Sequence, residues 1–398
     1  MSENPWLTIV GLGEDGPEGL PPASRKALED AEVVMGAERH LSLLPSLTAN
    51  TITWPLPFSD GIMLLLAQRG RKTVALASGN PFWHGAGTSL TKHLQPGEWR
   101  SLPAPSTMSL AAAAMGWPLE STTTLGLHAA PFARLRPHLA DGTRVIVTLR
   151  DGEAVPTIAA WLTEIGFGAS TLHVLEALGG PRQRIRRARA DAFDLDNIQH
   201  PVCVAVDTAG GPALTSVGGK DDAFFDNDGQ ITKRPVRALT LSALAPFPGE
   251  RLWDIGGGSG SIAIEWLLAH PTTQAISIEI DPTRAERIAQ NAANLGVDRL
   301  NVVAGAAPDA LENLPKPDAV FIGGGISEEL LEIVWAQLPV DARLVANAVT
   351  LEAEVLLANW QADKGGELLR IELAQSKPLG RKRGWKSSYP IVQWSVQK

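Results

Sequence analysis

The sequence predicts two α/β domains in tandem, and three observations predict it. Strand-like and helix-like stretches alternate along most of the chain. The alternation lapses once, into a polar glycine-rich stretch, and on each side of that lapse a strand runs into a glycine turn. With 398 residues, 44% of them hydrophobic and 20% charged, the chain can bury a sizeable core in each half. No short period repeats, which excludes a solenoid.

In the first half, apolar strands are expected at Leu7 to Val10, Thr73 to Ala77, Arg144 to Leu149, Thr171 to Leu175 and Val202 to Val206. Helical patterns lie between them at Ser24 to Ala31, Thr107 to Met115 and Pro156 to Ile165. The lapse, from Asp207 to about Gly229, spells Thr-Ala-Gly-Gly-Pro, Gly-Gly-Lys-Asp-Asp and Asp-Asn-Asp-Gly, which is linker chemistry. The boundaries expected are therefore a first domain over 1–208, a linker over 209–229 and a second domain over 230–398.

Composition excludes several function classes. A net charge of −8 argues against broad, nonspecific nucleic-acid binding. The lone cysteine, Cys203, excludes an internal disulfide framework and a cysteine-only zinc site, and the eight histidines show no metal-ligand spacing. No metal site is expected. His84 and His128 sit in candidate loops but read as surface or capping residues. No apolar run nears the roughly eighteen residues that span a bilayer, and the opening Met-Ser-Glu-Asn-Pro-Trp has no signal-like pattern. A cytoplasmic protein without a membrane partner is the expectation. Two basic patches remain. Arg182, Arg184, Arg186, Arg187 and Arg189 are left open between a solvated surface and an anion site. Lys377, Arg381, Lys382, Arg383 and Lys386, set among Gly380, Gly384 and Trp385, read as a shaped loop for an anionic ligand.

The strongest signal lies in the second half: Arg251-Leu-Trp-Asp254-Ile-Gly256-Gly257-Gly258-Ser259-Gly260, then a helix carrying Ile262, Trp266 and Ala269 on one face. Glycine permits positive φ and lets the chain approach a ligand closely. Nineteen residues beyond Gly260, Glu279 ends the strand Ala275-Ile-Ser-Ile-Glu-Ile, where an acid can accept from both hydroxyls of a ribose. The next helix has Asp281 as its cap, Pro282 first and Gly296 past its end. A dinucleotide site would instead spell G-x-G-x-x-G around a pyrophosphate. Asp254 would repel a pyrophosphate but can help hold the ammonium of a methionine moiety. This pattern resembles the first motif of class I S-adenosylmethionine-dependent methyltransferases. That resemblance implies donor contacts from Asp254, Gly256, Gly257, Gly258, Ser259, Gly260 and Glu279, and from Gly305 and Ala306 after the third strand, where the fold receives adenine. It also implies that Gly323, Gly324 and Gly325, after the fourth strand, face the methyl acceptor. Amino-methyltransferases of nucleic acids usually carry Asn/Asp-Pro-Pro-aromatic there; a bare triglycine suits a bulky, flat substrate better than a flipped base.

Gly11-Leu-Gly13-Glu-Asp-Gly16 spells the dinucleotide pattern but is a decoy, because Pro17, Pro21 and Pro22 keep a helix from opening at Gly16. The loop resembles the opening loop of the tetrapyrrole (class III) methylases, with Glu14-Asp15 where that family has Pro-Gly. Ala31 to Leu41 resembles that family's second strand and turn. Ser78-Gly79-Asn80-Pro81 resembles its Ser-Gly-Asp-Pro loop, and Pro105-Ser106-Thr107 the junction of its two lobes, placed near 105–110. The resemblance implies a donor held between lobes by Ser78, Gly79, Asn80, Pro81, Ser106 and Thr107, with Gly11 and Gly13 facing the substrate.

Together the halves resemble one family, the precorrin-6B (precorrin-6Y) C5,15-methyltransferases (decarboxylating) of cobalamin biosynthesis. Asp222 to Leu239 resembles that family's lead-in, with Thr232 expected at the donor, and Gly-Arg381-Lys382-Arg383-Gly its C-terminal substrate loop. The fold implied is α/β: a two-lobed tetrapyrrole methylase domain followed by a Rossmann-like class I methyltransferase domain. The activity implied is transfer of two methyl groups to C5 and C15 of a precorrin with loss of CO2 from an acetate side chain, giving precorrin-8X. Two S-adenosylmethionine molecules per chain, leaving as S-adenosylhomocysteine, a homo-oligomer and no nucleic-acid partner are implied as well. No residue is singled out as a catalytic acid or base. The alternatives weighed are an RNA methyltransferase with an N-terminal recognition domain and a protein that only senses the donor.

Overall fold

The computed structural model describes residues 5–398. The chain divides into two compact units, one running to Pro212 and one from Ala213 to Lys398, with the short stretch Ala133–Pro137 grouped with the second.

The first unit contains two five-stranded sheets. Strands β1 (Leu7–Leu12), β2 (Val33–Gly36), β3 (Asn50–Thr53), β4 (Thr73–Ser78) and β5 (Trp99–Leu102) form a parallel sheet in the order β3-β2-β4-β1-β5. Helices cover a parallel sheet on both faces, so its central strands are mostly apolar and buried; all six residues of β1 and all four of β2 are buried. The second sheet is mixed: β6 (Thr123–Gly126), β7 (Arg144–Thr148), β8 (Thr171–Glu176), β9 (Arg184–Arg189) and β10 (Val202–Asp207), in the order β6-β7-β10-β8-β9. Between the sheets in sequence, helix Thr107–Met115 is capped by the Ser106 hydroxyl, which accepts from the Ser109 N–H at 3.1 Å, and ends at Gly116 in the left-handed region. Its Met108, Ala111 and Ala112 pack on Ile146, Leu175 and Cys203 of the second sheet.

The second unit is one seven-stranded sheet: β11 (Arg251–Ile255), β12 (Gln274–Glu279), β13 (Asn301–Ala304), β14 (Ala319–Ile322), β15 (Arg343–Ala348), β16 (Glu367–Ile371) and, after the hairpin β17 (Ala374–Leu379) and β18 (Lys382–Ser387), β19 (Ile391–Gln397). The order is β13-β12-β11-β14-β15-β19-β16, with β19 antiparallel to both its neighbours and the other pairs parallel. Strand order reverses between β11 and β14, which opens a crevice at their carboxyl ends. Apolar clusters cover both faces, one around Trp253, Leu344 and Trp394, the other around Trp266, Ile262 and Phe321. Helix Pro282–Asn294 begins as expected: the Asp281 carboxylate accepts from Thr283 N–H at 2.8 Å and Arg284 N–H at 3.3 Å.

Two sequence expectations need correction, and a patch left open gains a structural account. The stretch read as a linker is pinned to the second unit from Gly219 onward: Phe225 is 2% exposed, and the N–H groups of Gly219 and Lys220 donate to the buried Glu265 carboxylate at 2.6 and 2.9 Å. Arg182 to Arg189 is not simply a solvated segment, since Arg184–Arg189 is edge strand β9, and Arg184 and Arg186 both bond the fully buried Glu176. The loop expected at Arg381, Lys382 and Arg383 is a hairpin, with only Gly380 and Arg381 in its turn. Among the described residues no helix is long and apolar enough to cross a membrane.

Candidate active sites

In the second unit the glycine loop lies where the strand order reverses. β11 delivers Ile255 to Gly256, and residues 256, 258 and 260 all take positive φ (+74°, +61°, +73°), which a side chain would strain. The loop is pinned by the adjacent strand: Gly256 N–H donates to Ile278 C=O at 2.9 Å, and Gly258 N–H donates to Glu279 Oε2 at 2.8 Å. The other Glu279 oxygen accepts from Asp281 N–H at 3.0 Å. A carboxylate has about four acceptor positions, so two remain for a ligand. A cavity of about 480 Å³ opens here, lined by Thr232, Gly256, Gly257, Gly258, Glu279, Gly305, Ala306, Gly323, Gly324 and Gly325 among others. A Cβ added at Gly324 or Gly325 would meet nothing within 4 Å, so the triglycine leaves room on its side of the crevice. The volume lies in the range of small-molecule sites, and Glu279 brings the cavity an acceptor for ligand hydroxyls.

Asp254, Ser259 and Gly260 do not line that cavity. Asp254 is 1% exposed and its Oδ2 accepts from the Ser277 hydroxyl at 3.2 Å. Burial pushes its carboxyl up to about 7. It therefore anchors the loop from beneath and is not placed to hold an ammonium. Ser259 is also buried, its carbonyl accepting from Asn291 at 2.9 Å, and Gly260 is crowded by Ile288. Arg381, Lys382 and Arg383 line a separate shallow concavity on the hairpin with Ser376 and Trp385. The base of the hairpin does reach the cavity, through Leu373, Ser388 and Tyr389. Neither these nor Asn347 had a sequence signal: they arrive from strands and turns far along the chain.

The first unit has its own cavity, about 530 Å³, lined by Gly13, Ser78, Gly79, Ser106 and Thr107 of the expected set. The β1–β4 register sets Leu12 beside Ser78. Gly11 lies outside the lining, because its role is backbone packing: an added Cβ would fall 1.9 Å from the Gly79 carbonyl oxygen. Asn80 and Pro81 are outside it too, and the Asn80 Oδ1 accepts from Phe82 N–H at 3.0 Å to shape the turn. Sequence reasoning missed a polar wall of Glu14, Arg39, His40, Arg150 and His200. His84, at φ +56°, shares the cavity with His128; burial, then that neighbour, holds its imidazole below the ordinary range. Cys203 also borders the cavity, but burial pushes its thiol up to about 12, so it is no nucleophile. Among the described residues no group of three or more His, Cys, Asp or Glu is arranged to hold a metal ion.

Residues 6–194 match the tetrapyrrole (corrin/porphyrin) methylases, and residues 223–398 the precorrin methyltransferase domain. The chain is 48% identical to the precorrin-6Y C(5,15)-methyltransferase (decarboxylating) of a Sinorhizobium species over 401 residues, 99% of this chain and 97% of that protein. It is 40% identical to the protein of the same name from Mycobacterium tuberculosis (strain CDC 1551 / Oshkosh) over 98% of this chain and 100% of that one. The cobalt-precorrin-6B C(15)-methyltransferase (decarboxylating) of Salmonella typhimurium is 31% identical over 186 residues, 45% of this chain and 95% of its own.

Proposed function

The chain belongs to the precorrin-6Y C(5,15)-methyltransferase (decarboxylating) family, and from that premise we propose that each of its two units holds one S-adenosylmethionine and transfers one methyl group. The activity is that of the family: S-adenosylmethionine-dependent methylation of a precorrin, with decarboxylation, in cobalamin biosynthesis. Nothing in the relatives' names supports the RNA-modifying alternative.

The observation that supports two donors is the presence of two cavities, one within each unit, each built on glycine turns at the carboxyl ends of parallel strands. In this reading Ser78, Gly79, Ser106 and Thr107 hold the first donor. Thr232, the 256–258 turn, Glu279, Gly305 and Ala306 hold the second, with Gly323, Gly324 and Gly325 toward the acceptor. The first domain is the tetrapyrrole methylase and ends at Pro212; the class I domain follows from Ala213. Decarboxylation and the C15 methyl are assigned to the second domain. That assignment agrees with a relative of about half this chain's length being named for those two steps alone.

The donor supplies an electrophilic methyl group when bound. The protein's part is to orient it and keep water out, because the macrocycle brings its own nucleophile, an enamine-like carbon of the conjugated ring. Glu279 fixes the glycine turn while offering its remaining lone pairs to a ribose. The ring system can take up the electron pair left by CO2, so decarboxylation requires no further group from the chain. Arg381, Lys382 and Arg383 are proposed to meet substrate carboxylates from the exposed hairpin. The protein is further proposed to be a cytoplasmic homo-oligomer that does not bind nucleic acid. The test is mass spectrometry of the products formed from precorrin and donor. The expected product is two methyl groups heavier and one CO2 lighter. A single methyl addition with a saturated donor would refute the two-site reading.

A further inference from the structure

We propose that Arg39 and Ser78 form a carboxylate seat inside the first unit's cavity, held net positive because two guanidiniums share the single carboxylate of Glu14. The inference rests on the two-donor reading above and adds a carboxylate-binding role for Arg39, which lies outside the expected donor set, beside Ser78, which lies within it.

Glu14 is 8% exposed, and its two oxygens are taken by different arginines: Arg39 bonds Oε1, and Arg182 Nη2 donates to Oε2 at 3.1 Å. Arg150, also on the wall, is paired with Asp151 at 2.6 Å. Two positive charges against one negative leave a surplus of one beside the cavity, and an anion would complete it.

The geometry of Arg39 leaves donors to spare. Its Nη2 donates to Ser78 Oγ at 2.8 Å and to His40 Nε2 at 2.9 Å. Arginine cannot accept, so His40 Nε2 is the acceptor and its proton sits on Nδ1. A neutral ring is what the surroundings favour: burial, then the Arg39 charge, lowers the His40 imidazole to about 4. His40 is thus a positioning residue that fixes the plane of the guanidinium. With the His40 lone pair used by Arg39, the Ser78 hydroxyl hydrogen can turn to an incoming oxygen, although it lies 2.9 Å from the same nitrogen. Three of the five guanidinium N–H groups are engaged, by Glu14, Ser78 and His40; one on Nε and one on Nη1 remain, on different edges, so a carboxylate oxygen can take one of them and meet the Ser78 hydroxyl beside it. Arg39 and Ser78 both line the cavity beside Gly13 and Gly79, and Arg39 keeps 30% of its side chain exposed.

Two ligands of this cavity would carry carboxylates, the macrocycle and the amino-acid end of the donor, and one experiment separates them. Arg39→Gln and Arg39→Lys full-length chains are compared with wild type for donor binding by calorimetry. The KM of each methyl transfer is read from mono- and dimethylated products. If the seat takes a macrocycle carboxylate, Arg39→Gln raises the KM of one transfer roughly ten- to hundredfold and leaves the other transfer and both donor affinities alone. Arg39→Lys, which keeps the charge but loses the planar donor set that reaches Glu14, Ser78 and His40 together, should then give a several-fold rise with an unchanged melting temperature. If the seat takes the donor's carboxylate, one donor site weakens tenfold or more while the tetrapyrrole KM stays. Unchanged values for both ligands in a wild type that performs both transfers overturn the seat and leave the two-donor reading standing. A wild type that transfers only one methyl overturns both.

Discussion

Replacing Glu279 by alanine should weaken one donor site of two. The side chain is 4% exposed and is the only acid lining the second unit's cavity among the described residues. Losing a charged acceptor to a ligand hydroxyl costs about 1.5–3 kcal/mol, which is a roughly ten- to hundredfold rise in Kd. The substitution also strips acceptors from Gly258 N–H and Asp281 N–H. Each could cost up to about 1–3 kcal/mol if left dry, less where cavity water replaces the carboxylate. Glu279→Gln separates the two effects. Its amide keeps one acceptor oxygen but aims an NH2 at a backbone N–H, so it should recover less donor affinity than melting temperature. The assay is calorimetric titration of the full chain with S-adenosylmethionine, analysed for two sites, with circular dichroism to check folding. Two unchanged sites in a folded Glu279→Ala chain would refute the assignment, as would equal weakening of both.

Three further outcomes follow from the same structure. Asp254 is protonated in the folded state up to about pH 7 but titrates near 3.8 when unfolded. The folded chain therefore holds the extra proton between those values, and stability falls as pH rises through that window, by at most about 4 kcal/mol; Asp254→Asn should flatten this slope in urea titrations from pH 4 to 8, and superimposable curves would count against the burial argument. A fragment starting at residue 213 should fold alone, whereas one starting at 230 loses the buried Phe225, worth about 3–5 kcal/mol, and should melt lower; equal melting temperatures would restore the linker reading. Neutralising Arg381, Lys382 and Arg383 together should raise the tetrapyrrole KM at low salt, where exposed charges act most strongly, without moving donor affinity; a normal KM makes the hairpin tip ordinary surface.

What was legible in the sequence was local. The cap at Asp281, the helix over Thr107–Met115, the glycine turn and Glu279 announce themselves because each signal sits within a few residues of its effect. What was illegible depends on partners far along the chain. Strand β9 is arginine-rich and has no apolar face, so its sequence leaves solvated surface and anion site open until Arg184 and Arg186 are seen to bond Glu176 on β8. The stretch 213–229 has linker composition, yet its backbone finds acceptors on Glu265 and its Phe225 lies under the Arg237 guanidinium at 4.8 Å. The acid of the glycine motif was visible, but its direction was not: whether Asp254 faces the cavity or the core depends on how Ser277 of β12 packs beneath the loop. Arg39, whose family motif was legible, gave no hint of its partners on β4 and after β1.

The buried ion cluster of the second unit extends this reasoning from stability to the site. Arg237 is fully buried, and an isolated charge there would be prohibitively costly. It is tolerated because Glu265 accepts from its Nε at 2.7 Å, and because its other nitrogens donate to the carbonyls of Lys220 and Thr232. The last of these bonds matters most for function, since Thr232 lines the cavity and the guanidinium fixes its backbone. One side chain thus joins the packed lead-in, the helix Ser261–Ala269 that follows the glycine turn, and one wall of the proposed donor site. A buried salt bridge is weak evidence of net stability, because an apolar replacement is often as stable. Here its value lies in direction: an apolar residue could fill the volume but could not hold the Thr232 carbonyl. The stretch that looks like a linker is therefore tied to the site through its backbone, by the Lys220 carbonyl that shares the Arg237 guanidinium with Thr232.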